Sequence, residues 1–208
     1  MTKLYVYGDS WPFGADLDNS YTQCFPALME KLCNLEVINK SVPATSIDHL
    51  VYFFLDDFEN NLHNTGDKIL FCLTGLSRAM CFVDDKLFEL HPRGQTDYEK
   101  YYYKFIHSNS LEKFNLTRNV LLCNLLCKQK GLQDYFVFNW EQHIPKELKQ
   151  KINFYNKTLA EILHPEKNQQ ISFEGSGDVL NESELMHNHH PTALGHQKIA
   201  TELSKWIS

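Results

Sequence analysis

A serine hydroxyl becomes a useful nucleophile only when a base within hydrogen-bond reach takes its proton and donors await the negative oxygen formed on the attacked carbonyl. The chain carries the parts for such chemistry at its two ends. Near the start, Gly8-Asp9-Ser10-Trp11 follows a short apolar run, and near the end His187-Asn188-His189-His190-Pro191 precedes an amphipathic segment. Ser10 is the candidate nucleophile, and a histidine of the second block is the candidate base. Asp9 and Trp11 flank the serine. Taken singly, each motif is ordinary, because Gly-Asp-Ser is a common turn tripeptide and loop histidines are commonly solvated. His187, His189, His190 and His196 crowd ten residues, which would also suit a metal, yet no Asp or Cys joins them at ligand spacing. Acyl transfer through a serine and a histidine needs neither metal nor organic cofactor, and none is expected.

These blocks can act together only if elements bring them to one place. Runs rich in β-branched and aromatic residues alternate with stretches of helical period, the pattern of a parallel sheet covered on both faces, so the class is α/β. Strands are expected at Leu4 to Tyr7, Leu35 to Asn39, Lys68 to Leu73 and Tyr135 to Asn139, with a weaker one near Gln170 to Phe173. Phe25, Leu28, Met29 and Leu32 recur at helical spacing. Ser46 can cap a helix whose stripe runs from Ile47 to Leu62, a third helix spans Val120 to Lys130, and a last one carries Ile199, Leu203, Trp206 and Ile207. An open parallel sheet binds its ligands at the carboxyl ends of its strands. After the first four strands stand Gly8-Asp9-Ser10-Trp11, Asn39-Lys40-Ser41-Val42-Pro43-Ala44, Thr74-Gly75-Leu76-Ser77-Arg78 and Trp140-Glu141-Gln142-His143, small-residue turns that would face one crevice. The stretch from Ala79 to Ser110 breaks the alternation. A hairpin at Ala79 to Val83 and Lys86 to Leu90, then a segment holding Tyr98 and Tyr101 to Tyr103, reads as an insertion at about 79–110 in a single domain of residues 1–208.

Composition narrows the partners. With 20 Lys and Arg against 26 Asp and Glu, the net charge of -6 opposes a phosphate backbone, so nucleic acid is not expected. No window approaches a membrane span and no export signal is evident, which makes the expected location cytoplasmic. The six cysteines are then expected as reduced thiols. Nothing in the sequence sets the oligomeric state.

The two terminal blocks together resemble the SGNH (GDSL) hydrolase family, with Gly8-Asp9-Ser10-Trp11 as the nucleophile block and His190-Pro191 to His196 as the block before the last helix. The resemblance runs from first strand to last helix. It implies a three-layer, flavodoxin-like α/β/α sandwich, with Ser10 as nucleophile, its N–H as an oxyanion donor and His190 as general base. Ala44 falls where the family supplies a glycine N–H, and so requires a compatible backbone angle. Gly75-Leu76-Ser77-Arg78 falls on the block that usually reads Gly-x-Asn-Asp, so Ser77 offers a hydroxyl in place of a carboxamide. His187 stands three residues before His190, where the family has an aspartate. An imidazole does not replace a carboxylate that fixes the tautomer, so either Asp178, Glu182 or Glu184 reaches in, a backbone carbonyl orients His190, or the site is weakened at His187.

The implied activity is hydrolysis of a small acyl ester, with an O-acetyl group on a carbohydrate as the expected substrate. Transfer of the acyl group to another alcohol uses the same parts. Three other readings compete. Gly75-Leu76-Ser77-Arg78-Ala79 nearly matches a Gly-x-Ser-x-Gly elbow, but a hairpin rather than a helix follows it. A phosphate-binding loop is excluded by glycine spacing and by Asp9. A degenerate hydrolase could use Trp11, Trp140 and Tyr101 to Tyr103 to stack on a sugar or a partner without cleaving a bond.

Overall fold

The computed structural model describes residues 2–140, 144–165 and 182–208. The chain opens with β1 (Lys3–Tyr7), the short α1 (Ser10–Phe13) and α2 (Ser20–Gln23), α3 (Phe25–Cys33), β2 (Glu36–Asn39), α4 (Ile47–Glu59) and β3 (Lys68–Leu73). A hairpin of β4 (Ala79–Val83) and β5 (Lys86–Leu90) follows, then α5 (Asp97–Phe105), the long α6 (Asn109–Lys130), β6 (Gln133–Phe138), α7 (Lys146–Lys149) and α8 (Leu159–Leu163). The last elements are β7 (Glu182–Ser183), β8 (Met186–His187), β9 (His190–Pro191) and α9 (Ala193–Ile207).

The central sheet has the order β2-β1-β3-β6, all parallel, with Leu4 in register with both Val37 and Lys68, and Lys68 with Gln133. Phe154 extends it beyond β6, where Phe136 N donates to Asn153 O at 3.0 Å and Tyr155 N to Phe136 O at 2.8 Å. This is the flavodoxin-like order, with the first strand flanked by the second and third. The expected strand near Gln170 to Phe173 lies outside the described residues.

Strand alternation divides the core into two layers. Leu4, Val6, Leu70, Cys72 and Val137 face α3, α8 and α9, where Phe25, Met29, Leu159, Ile199 and Leu203 cover them. Tyr5, Tyr7, Ile69, Phe71, Phe136 and Phe138 face the other way, under Ile47, Leu50 and Phe54 of α4 and Leu116, Val120 and Cys123 of α6. The α6 crossover starts three turns earlier than the apolar period indicates, because Ser108 caps it by accepting from Leu111 N and its first half carries polar residues. In the β4–β5 hairpin, Asp84 and Asp85 take φ of 49° and 60°, as a two-residue turn between Val83 and Lys86 requires. All six cysteines are free thiols, and Cys24, Cys72, Cys123 and Cys127 are buried. Among the described residues no helix is long and apolar enough to cross a membrane.

Candidate active site

The first strand ends at a place with no room for a side chain. A Cβ on Gly8 would lie 2.4 Å from Pro12 Cγ and 2.8 Å from Cys72 Cβ, so only glycine lets the chain turn there into α1. Asp9 caps that helix, accepting from Trp11 N at 3.0 Å and from Asn139 Nδ2 at 2.8 Å, with Arg78 Nη1 at 3.7 Å. At 3% exposure it faces into the protein, so its carboxylate organises the strand ends instead of meeting a ligand. Ser10 begins the helix. Among the described residues its hydroxyl and its N–H make no hydrogen bond to protein, so neither the candidate nucleophile nor the candidate donor is taken up by a described neighbour. Gly14, at φ 84°, ends α1, with its N–H and that of Ala15 both directed to Ser10 O.

The second strand end is fastened to the first. Lys40 N donates to Val6 O at 2.8 Å and Val42 N to Gly8 O at 3.0 Å, while Thr45 Oγ1 donates within reach of Gly8 O and Val42 O. Ala44, in this turn, takes φ of 65°, the left-handed angle that a glycine adopts freely and an alanine adopts under strain. After β3, Gly75 faces open space and Ser77 leads directly into β4, so no elbow helix follows that serine. The Tyr103 hydroxyl sits 2.6 Å from Ser77 O and 2.8 Å from Leu90 O, tying the loop to α5 and the hairpin. Glu89 adds a second tie, accepting from Ser46 N at 3.1 Å and meeting His49 Nδ1 at 2.5 Å.

The C-terminal block forms a tight hairpin. His187 and His190 pair across β8 and β9, and the two residues between them, Asn188 and His189, take φ of 48° and 65°. Trp11 Nε1 donates to His189 O at 3.1 Å, so the residue beside Ser10 grips the residue beside His190. The His190 ring meets a carboxylate, and it is not one of those expected. Asp16 Oδ2 lies 2.7 Å from His190 Nδ1. Asp16 belongs to the loop after α1, at φ 65°, a conformation that Asp tolerates better than most residues. No motif marks it in the sequence, because its partner is 174 positions away. His187 is exposed, with Nε2 3.0 Å from Asn188 Nδ2. Glu184 gives its backbone carbonyl to Thr192 Oγ1 at 2.6 Å, while Asp178 and the side chain of Glu182 fall outside the described residues.

His196 has a different place. It is fully buried, its Nδ1 accepts from Phe25 N at 3.1 Å, and burial pushes its pKa down to about 3, with His190 adding a smaller repulsion. It is a neutral core residue. Trp11 and Trp140, at 2% and 6% exposure, meet edge to face at 4.9 Å inside the core. They cannot form the sugar platform that a stacking binder requires. Tyr101 is exposed, but the Tyr103 hydroxyl is turned inward to its two carbonyls.

Neither a family model nor a curated protein matches the chain. Solved structures do. A lipolytic protein of the G-D-S-L family from Desulfitobacterium hafniense superposes with a TM-score of 0.60 at 13% identity over 99% of each chain. A catalytic mutant of an acetylxylan esterase from Geobacillus stearothermophilus gives 0.56 at 13% identity over 100% of this chain and 94% of that one. An acetyl xylan esterase from Butyrivibrio proteoclasticus gives 0.53 at 16% identity, over 99% of this chain and 63% of that one. The fold is that of the GDSL (SGNH) hydrolases, in agreement with the resemblance of the two terminal blocks.

Proposed function

We propose that this protein is a serine esterase that hydrolyses small acyl esters, with O-acetyl groups on a carbohydrate as the substrate class. The observation that supports the reading is that the segment starting at Ser10, whose hydroxyl makes no hydrogen bond among the described residues, holds the His190 hairpin through Trp11 Nε1 to His189 O and Asp16 to His190. The substrate class follows the two acetylxylan esterases of the same fold.

In the reaction, His190 Nε2 takes the Ser10 proton as Oγ bonds to the ester carbonyl carbon, and the carbonyl electron pair moves to oxygen. The N–H groups of Ser10 and Ala44 are the proposed donors to that oxyanion, and Gly75 and Ser77 of the turn after β3 are proposed to complete its binding. Collapse breaks the bond to the leaving alkoxy oxygen, which takes the proton from His190. Water then attacks the acyl-Ser10 carbonyl, giving a proton to His190, and the carboxylic acid departs as Ser10 is reprotonated. The test is labelling with a fluorophosphonate probe alongside hydrolysis of p-nitrophenyl acetate and acetylated xylan. Wild type should label and Ser10→Ala should neither label nor hydrolyse, with its fold retained. A wild type that never labels, or an active Ser10→Ala, refutes the assignment.

A further inference from the structure

We infer that Asp16 is the positioning carboxylate of this site, holding His190 from the nucleophile's own loop in place of an acid three residues before the histidine. The inference rests on the esterase reading above and adds a residue to it.

A serine-type base must present an unprotonated Nε2, and this requires the proton on Nδ1. A carboxylate at Nδ1 selects that tautomer and stabilises the imidazolium formed during attack. Asp16 Oδ2 stands 2.7 Å from Nδ1, the separation of a charge-assisted hydrogen bond. His187, which occupies the place of the usual acid, lies directly across the β8–β9 pairing from His190 and is exposed.

The local structure explains how Asp16 reaches that ring. The N–H groups of Gly14 and Ala15 close onto Ser10 O, so the chain reverses tightly after α1. The left-handed angles of Gly14 and Asp16 then carry it back toward β9. At the other end of the same short segment, Trp11 Nε1 holds His189 O. The His190 hairpin is thus gripped at two points by the seven residues that begin with Ser10. With the Asp16 side chain half exposed and that of His190 about a quarter exposed, water can partly replace the carboxylate. The loss on removing it should therefore fall short of the roughly 10⁴-fold seen when a buried triad acid becomes an amide.

The experiment compares Asp16→Asn, Asp16→Glu and Ser10→Ala with wild type. Asparagine keeps the size and tolerates the left-handed angle. Asp16→Asn should lower kcat on p-nitrophenyl acetate by about 10²-fold or more with KM within about twofold and melting unchanged, and Asp16→Glu should recover part of the loss. A second measurement, ¹H–¹⁵N NMR of the His190 ring, needs no activity. Wild type should show a hydrogen-bonded Nδ1–H that moves upfield in Asp16→Asn. Wild-type kcat in Asp16→Asn, or ring resonances identical in the two proteins, overturns the inference. If Ser10→Ala stays active, the nucleophile assignment fails by itself, and the ring spectrum still decides whether Asp16 holds His190.

Discussion

Acid should unfold this protein through His196, and the size of the effect follows from its surroundings. The ring is fully buried, and its Nδ1 accepts the Phe25 N–H that begins α3. Burial of the charge that protonation would create, with a smaller repulsion from His190, pushes the pKa down to about 3, and protonation would also break that bond. An unfolded chain takes up this proton near pH 6.5, so between those limits the unfolded state binds one proton more and stability falls as pH falls. The slope approaches about 1.4 kcal/mol per pH unit once the unfolded histidine is fully protonated, and the loss is about 2 kcal/mol from near pH 6.5 to near pH 4.5. His63, lowered in the same direction by desolvation, adds to it. In His196→Asn the amide oxygen can accept from Phe25 N while nothing titrates. Neutral-pH stability should drop by about 1–2 kcal/mol for the lost ring volume. The loss between near pH 6.5 and near pH 4.5 should shrink by about 2 kcal/mol. Urea titrations at the two pH values give both numbers. If the variant loses as much stability on acidification as wild type, His196 is not the group that resists protonation.

Two further outcomes test the loops around the site. Ser77→Asn should raise kcat by up to about 10²-fold without altering KM much, because a carboxamide reaches farther than a hydroxyl toward the proposed oxyanion, and steady-state kinetics on p-nitrophenyl acetate reads this directly. Glu89→Gln should loosen the hairpin from α4 by weakening the contacts with His49 Nδ1 and Ser46 N. It should speed amide exchange in β4 and β5 while global stability shifts by no more than about 1 kcal/mol.

The sheet was readable because β1, β3 and most of β6 are buried on both faces and so appear as continuous apolar runs. Lys68 to Leu73 is found as expected, and the boundaries of β1, β2 and β6 moved by one or two residues. Short helices hid where the stripe is too brief to see, although α5 and α8 both carry a readable capping box, Thr96 with Glu99 and Thr158 with Glu161. The α4 stripe continues in sequence to Leu62, yet the helix stops at Glu59, since Asn61 turns left-handed at φ 56°. Ser10 and His190 could be named as candidates because each sits beside a local signal, Gly8 on one side and Pro191 on the other. Asp9 and Trp11 were found but with a different use, one as a buried cap and the other as a clasp on His189. Asp16 carried no local signal, because a carboxylate that acts across a tertiary contact looks like any loop aspartate.

That placement of the acid changes what holds the site together. With an acid three residues before the histidine, base and acid travel on one loop and the nucleophile meets them as a pair. Here the proposed nucleophile and acid share one short segment, closed by Gly14 and Ala15 onto Ser10 O, and the hairpin that carries the proposed base is held to that segment. Two bonds join the halves, Trp11 Nε1 to His189 O and Asp16 to His190. The first leaves an imperfect grip if the turn relaxes, since His189 holds a left-handed angle that costs a non-glycine residue roughly 1 kcal/mol or more. The second is strongest when His190 is charged, and it tightens as the base takes a proton. Binding of the hairpin and formation of the imidazolium are then favoured by the same carboxylate, so the contact that orders the site is also the one that strengthens as the proposed reaction proceeds.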